Sequence, residues 1–444
     1  MNTSNRLTIA DVRAAYISGK ITPKRLIEQI ISRSKEHSDY NIWITPPELE
    51  KIKPYIDALE YKNIVDYPLW GIPFAIKDNI DLEAVPTTAG CPEYAYTPDK
   101  SAFVVERLID AGAIPIGKTN LDQFATGLVE TRSPYGEVKN SLNPELISGG
   151  SSSGSAVSVA LGEAVFALGT DTAGSGRVPA ALNCLVGYKP ACGAWSTSGL
   201  VPACESLDCI TVFANSIDDA EAVNDIVRGY DKNCIWSKQF AKLREKRPSK
   251  IYLPVNELEF YGPYAQTYME KWDRELVKIQ SIGIPVEFID ITMFKKAAAI
   301  LYEGPWVAER WEALGEFVEN NENAIFPVTR EILKGGNKPE NTASYLFNAW
   351  HELEGYKHVV RELLDDAVLI MPTAGGTYTR DEVREDPIGK NSDMGKYTNH
   401  CNLLDLCAIA IPENKDDKDI PFGVTIFSLA KNEGTILGVA RALE

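Results

Sequence analysis

The sequence predicts an α/β protein with a mixed, largely parallel central sheet flanked by helices. Three observations carry this. Short apolar runs that read as strands, "GIPFAIKDNI" (71–80), "AIPIGKTN" (113–120) and "AVFALGTD" (164–171), are separated by glycine, serine and proline turns. Helical patterns such as "SAFVVERLIDAGA" (101–113) fall between them, and strands alternating with helices argue for parallel pairing. The same texture returns later in "KIYLPV" (250–255), "IPVEFIDI" (284–291) and "AVLIMPTAG" (367–375).

In chain order, "TIADVRAAYISGK" (8–20) and "TPKRLIEQIISRSKEH" (22–37) read as amphipathic packing helices. Thr22 is placed to cap the second, with Pro23 at its first helical position. "TASYLFNAWHELEGYKHVVRELLDDA" (342–367) reads as one long helix. The charged stretch "KLREKRPSK" (242–250) is the best internal boundary, yet one domain over 1–444 is the simplest organisation.

At 444 residues and 44% apolar the chain can bury a large core. No run approaches the roughly 18 apolar residues of a membrane span, and the N-terminus lacks a signal peptide's apolar centre, so a cytoplasmic protein is expected. A formal charge of −17 disfavours nucleic acid as a partner. Eight cysteines without a CxxC pair read as reduced, mostly buried thiols rather than metal ligands.

Chemistry concentrates in the hydroxyl- and glycine-rich turn of "ALGTDTAGSGRVPAAL" (167–182). It contains neither the P-loop pattern nor the dinucleotide-binding glycine pattern, and "SGGSSSGSAV" (148–157) contains neither as well. A serine nucleophile usually relies on histidine. The four histidines, His37, His351, His358 and His400, all lie outside residues 38–350, and no G-x-S-x-G elbow is present, although folding could still bring a histidine in. His351 and His358, seven apart, read as a solvated helix face.

Lys77, alone in an apolar strand, is the other candidate base. It can act only as a neutral amine, so its pKa must fall from about 10.4 to roughly 7–8, at a cost on the order of 3–5 kcal/mol. A stiff surround of glycine and serine loops would hold such a group.

The segments "GIPFAIKDNID", "PIGKTNLDQFATG", "SGGSSSGSAVSVA" and "ALGTDTAGSGRVPAA", in this order and spacing, resemble the amidase signature family. The resemblance implies that family's fold, with a signature core over about 68–215 and a variable substrate-binding half over about 250–444. It also implies amide hydrolysis through a Ser-Ser-Lys triad and an acyl-enzyme: Lys77 as base, Ser151 as bridging serine after a cis peptide, and Ser175 as nucleophile. The amides of Thr172, Ala173 and Gly174 would form the oxyanion hole, and Asp171 and Arg177 would pin the turn by hydrogen bonds. No metal or other cofactor is required by this chemistry.

Further segments, "KTNLDQFATGLV", "TRSPYG", "SLDC", "LYEGPWVAER" and "YTNHCNLLDL", are similar to the amidase domain of allophanate hydrolases. That likeness implies that Tyr302 and Arg310, placed two turns apart on one helix, hold the carboxylate of a small ureido substrate, while Gly127 and Leu128 line the pocket. Ammonia would leave from the substrate's terminal carboxamide. Those relatives often carry a smaller second domain, which the chain as given would lack.

Two departures from the allophanate pattern add negative charge: Glu130 where glycine is expected, and Glu205 where a cation is expected. Near an anionic substrate each would repel by about 1 kcal/mol or more at 4 Å. The cationic analogue guanylurea is therefore the alternative substrate, with Glu130 among its contacts. A more remote alternative is the glutamine amidase component of an amidotransferase. Family relatives imply a homodimer.

Overall fold

The computed structural model describes residues 6–413 and 420–444. Eleven strands form one sheet: β1 (Trp43–Thr45), β2 (Pro73–Lys77), β3 (Ile114–Thr119), β4 (Phe166–Asp171), β5 (Val186–Lys189), β6 (Cys209–Ala214), β7 (Lys250–Pro254), β8 (Val286–Ile289), β9 (Ala367–Pro372), β10 (Leu406–Pro412) and β11 (Gly423–Leu429). Their order across the sheet is β1-β3-β2-β4-β6-β5-β10-β11-β9-β7-β8. The sheet is mixed and flanked by helices, which matches the expected fold class.

Its parallel share is smaller than the strand–helix alternation implied. Among the described residues, four strand pairings are parallel (β2–β3, β2–β4, β7–β8, β7–β9) and six are antiparallel. The reason is connectivity. No helix crosses over between β5 and β6, so that pair runs antiparallel.

β2 and β4 are buried along their whole length, as their unbroken apolar runs require of strands covered on both faces. Phe74 and Phe166, adjacent across β2 and β4, stack with ring centroids 5.2 Å apart. The helix Pro23–Glu36 is capped by Thr22 Oγ1, which accepts the Arg25 N–H, and Pro23 occupies the first turn. Thr342 caps the helix Ala343–Leu363 in the same way. No helix among the described residues is long and apolar enough to cross a membrane.

The stretch 241–248 is irregular, and its Lys246 N–H donates to Gly434 O on the C-terminal helix. The sheet continues past it, because β7 joins β9 and through β11 and β10 reaches β5. Parallel pairing of β2 with β3 and β4 brings the carboxyl ends of all three strands to one edge. Lys77, Thr119 and Asp171 are the last residues of these strands, and such an edge is where open α/β sheets bind ligands.

Candidate active site

Lys77 is fully buried at the end of β2, and its Nζ lies 2.8 Å from Ser151 Oγ and 2.7 Å from Thr170 Oγ1. Two tendencies oppose each other on this amine. Burial favours the neutral form, while Asp122, Asp208, Glu130 and Asp171 favour the ammonium. Burial wins, and the pKa falls from the usual lysine value to about 7.

The serine run after Gly150 is a set of braces rather than a flexible turn. The Gly150–Ser151 peptide is cis. Ser152 Oγ donates to Thr170 O at 3.0 Å and accepts the Thr170 N–H at 3.2 Å, and Ser155 Oγ donates to Leu168 O at 2.9 Å. These bonds tie the start of the helix Ser153–Ala160 to β4 and hold Ser151 over Lys77. Gly150 leaves no room for a side chain: a Cβ there would lie 2.1 Å from Asp122 Oδ2.

Ser175 sits in the turn between β4 and the helix Val178–Leu182, and is buried. Asp171 and Arg177 clamp this turn. Asp171 Oδ2 accepts from Arg177 Nε at 2.8 Å and from the Gly176 N–H at 3.1 Å, while Oδ1 accepts from Arg177 Nη2 at 2.9 Å. Burial would raise the Asp171 pKa, but the adjacent guanidinium prevails and holds the carboxyl below its ordinary value. Arg177 also donates to Thr398 O at 3.3 Å. Among the described residues no hydrogen bond joins Ser175 Oγ to Ser151 or Lys77. Hydrogen bonds of this kind often close only when a substrate is bound.

The N–H groups of Thr172, Ala173 and Gly174 form no backbone hydrogen bond among the described residues, so all three are left as donors beside Ser175. Thr172 Oγ1 donates to Asp208 Oδ1, and Asp208 Oδ2 accepts the N–H groups of Ala203 (2.8 Å) and Cys204 (3.1 Å). Burial raises the Asp208 pKa to about 6. Gly174 has φ +144, and a Cβ there would meet Thr398 Oγ1 at 2.4 Å. Gly174→Ala is therefore expected to lower stability by about 3 kcal/mol through backbone strain and crowding, read as a shift in the urea midpoint. An unshifted midpoint would show that the turn can relax.

Tyr302 and Arg310 do not share a helix, contrary to the sequence reading. Tyr302 ends the helix Thr292–Tyr302 and Arg310 lies on Val307–Asn320, because Gly304 and Pro305 interrupt the run. The chain break still brings them together: Arg310 Cζ is 5.3 Å from the Tyr302 ring centroid and Nη2 is 3.5 Å from its hydroxyl. Arg310 is buried, donates through Nη1 to Thr126 Oγ1 at 3.2 Å, and has an Nε without a partner. A cavity of about 260 Å³ opens beside Tyr302, lined also by Asn391, Lys396, Tyr397 and Asn399.

In the 127–130 loop, Gly127 packs on the Asp122 carboxylate, where a Cβ would lie 2.5 Å from Oδ2. The Leu128 side chain joins a buried apolar cluster with Val129, Ile147 and Val178, and its N–H donates to Asn391 Oδ1 at 2.7 Å. Glu130 adopts φ +60, the left-handed region that suits the glycine expected there. Its N–H donates to Asp122 Oδ2 at 3.1 Å, and neither of its buried carboxyl oxygens has a partner. Burial, reinforced by the Asp122 charge, pushes its pKa well above the usual carboxylate range, so the neutral acid is favoured. Glu205 is exposed. The charge counted for these two residues from sequence is thus disfavoured by burial at one and solvated at the other.

Several residues at the site escaped the sequence reading. Thr170 is the second partner of Lys77. Asp122 supports Ser151 directly, its N–H donating to Ser151 O at 3.2 Å. Asn402 Nδ2 donates at 2.7 Å to both Asp171 O and Leu207 O. The signal for the last two was their position inside the quoted motifs "TNLDQFATG" and "YTNHCNLLDL". The histidines stand apart: His400 is buried against Phe427 and Phe294, and burial together with Arg177 lowers its pKa to about 3. No cluster of residues able to hold a metal occurs among the described residues.

The chain is similar to several known proteins. Urea amidolyase of Saccharomyces cerevisiae is 39% identical over 424 residues, covering 94% of this chain and 23% of its own length. The chain thus spans about a quarter of that relative. A glutamyl-tRNA(Gln) amidotransferase component of Methanosarcina acetivorans is 32% identical over 462 residues, covering 94% of this chain and 96% of its own. The structure of Kluyveromyces lactis allophanate hydrolase superposes with a TM-score of 0.91 at 38% identity, over 98% of this chain and 72% of that one. The amidase family profile matches residues 25–437, which takes in every strand of the sheet and every residue of the site described above, and the chain belongs to the amidase family.

Proposed function

We propose that this chain hydrolyses the terminal carboxamide of a small urea derivative, with allophanate as the substrate, through Lys77, Ser151 and Ser175. The observation that carries the reading is the buried Lys77 amine, 2.8 Å from Ser151 Oγ, whose pKa falls to about 7 so that a large share of it is neutral near pH 7. Thr170 takes one amine N–H, which leaves the nitrogen lone pair for the Ser151 proton. Ser151 in turn takes the proton of Ser175 as its oxygen attacks the substrate carbonyl.

The charge that develops on that carbonyl oxygen meets the N–H groups of Thr172, Ala173 and Gly174, each such donor supplying roughly 3–4 kcal/mol in comparable sites. Return of the proton through Ser151 to the departing nitrogen releases ammonia and leaves an acyl-enzyme on Ser175. Water then repeats the sequence and frees the acid.

Buried Arg310, whose Nη2 lies 3.5 Å from the Tyr302 hydroxyl and whose Nε has no partner, suits the substrate's carboxylate. Similarity to an allophanate hydrolase at 38% identity supports the same substrate. One observation favours guanylurea as a second reading: the two Glu130 oxygens have no partner, and a guanidinium beside them would hold the group as a carboxylate that accepts its N–H groups. A cytoplasmic homodimer belongs to the proposal as well.

The test is ammonia release from allophanate, guanylurea, biuret, malonamate and glutamine by the wild type and by Arg310→Gln. Allophanate is expected to be fastest, and Arg310→Gln to lower its kcat/KM by roughly 10²-fold, the loss of one buried charge-assisted pair. Faster turnover of guanylurea, or an Arg310→Gln variant that prefers it, transfers the assignment to the cation. Glutamine as the best substrate would point to a component of an amidotransferase.

A further inference from the structure

None of the eight cysteines takes part in the proposed reaction, yet two of them differ from ordinary buried thiols. Cys192, in the loop after β5, is partly exposed, whereas Cys209 is buried at the start of β6. The Cys209 thiol donates to Cys192 Sγ with the sulfurs 3.5 Å apart. Lys189, the last residue of β5, lies against the same pair: its Nζ is 3.6 Å from Cys209 Sγ and 2.9 Å from Pro190 O.

The hydrogen bond from Cys209 holds the Cys192 thiol below its ordinary pKa, burial opposes this, Lys189 and Lys238 assist it, and Asp405 counters them. Cys234 is likewise partly exposed and, although burial would raise its pKa, hydrogen bonds from Thr197 hold it below the ordinary value; its sulfur pairs with the Thr197 hydroxyl at 3.4 Å and not with a second thiol. Cys401 and Cys407 are buried, donate to backbone carbonyls, and are pushed up by burial. Thiolate character decides how readily a cysteine is oxidised, and a second thiol in reach decides whether the oxidised sulfur closes to a disulfide; Cys192 combines a lowered pKa with the Cys209 sulfur at 3.5 Å.

We propose that Cys192 and Cys209 form a peroxide-oxidisable dithiol site, in which Cys192 is attacked first and Cys209 resolves it to a disulfide. The Cys192 thiolate displaces hydroxide from hydrogen peroxide and becomes a sulfenic acid. The Cys209 sulfur then attacks the Cys192 sulfur and expels water. In sum two thiols lose two electrons and two protons, and one peroxide becomes two waters. The sulfurs need only close from 3.5 Å to the disulfide distance of about 2.05 Å.

The cross-link would lie close to the reacting turn. Cys209 stands opposite Asp171 in the β4–β6 ladder, and Cys192 Sγ donates to Leu207 O, the carbonyl that Asn402 also holds.

The test treats the purified full chain with hydrogen peroxide, alkylates the remaining thiols and maps the peptides by mass spectrometry. The expected product is a Cys192–Cys209 cross-linked peptide pair, lighter by two hydrogens, removed by dithiothreitol and formed before Cys401 or Cys407 is oxidised. Cys209→Ser is expected to stop at a Cys192 sulfenic acid that dimedone captures, and Cys192→Ser to yield neither product. The proposal is overturned if Cys192 reacts no faster than the buried cysteines, or if the wild type accumulates sulfinic acid at Cys192 without the cross-link. Neither result depends on which amide the enzyme cleaves.

Discussion

Lys77→Met is expected to lower kcat/KM by about 10³-fold or more while leaving the far-ultraviolet circular dichroism spectrum unchanged. Methionine keeps most of the volume of the buried side chain but removes the nitrogen that lies 2.8 Å from Ser151 Oγ and is proposed to receive its proton. Lys77→Arg is expected to be no better, because a guanidinium stays charged at any working pH. Ser175→Ala should be equally inactive. The double variant should be little worse than either single one, since residues that act as a unit lose their effect together.

The wild-type pH profile tests the same group without mutation. With an amine pKa of about 7, the neutral base becomes more populated as pH rises through that value. The rate should therefore fall about tenfold per unit below it and level off above it. A flat profile between about pH 5.5 and 8, or Lys77→Met retaining rates within tenfold of wild type, would remove Lys77 from the chemistry.

Arg177→Ala is expected to cost about 3–5 kcal/mol of stability, which removing one partner of a buried ion pair usually costs. Out of a total of about 5–15 kcal/mol for a folded protein, that is a large share. Asp171 would keep one hydrogen bond from the Gly176 N–H and lose its bidentate partner, leaving a charge in a site with no solvent access. Arg177→Lys is expected to recover only part of the loss, because a single ammonium cannot span both Asp171 oxygens and Thr398 O. Chemical denaturation of the three proteins side by side checks this. A midpoint for Arg177→Ala close to wild type would mean that water reaches Asp171.

The parts of the site legible in the sequence were those fixed by short-range motifs. Lys77 at the end of an apolar strand, the serine run after paired glycines and the glycine-rich turn around Ser175 each announce themselves within about ten residues. The alternating strands and helices likewise gave the class of fold, but the direction of each strand depends on how the connections route, which β5 and β6 illustrate.

Contacts set by distant segments were not legible. Thr170 and Asp122 reach Lys77 and Ser151 only because parallel register aligns the ends of β2, β3 and β4. The break between Tyr302 and Arg310 was written in "EGPW", yet the eight-residue spacing masked it. Glu130 was counted as a charge because burial beside a second carboxylate cannot be seen from composition.

Residues late in the chain complete a turn that forms early in it. Thr398 O receives Arg177, and the Asn402 amide spans the carbonyls of Asp171 and Leu207. Exchange of the C-terminal half between family members, with a junction in the irregular stretch at 241–248, would therefore carry part of the scaffold of the Ser175 turn along with Tyr302 and Arg310, the proposed contacts of the substrate. Specificity in this architecture cannot be traded as an independent module; any donor half must also bring its own pair of backbone supports for the Ser175 turn.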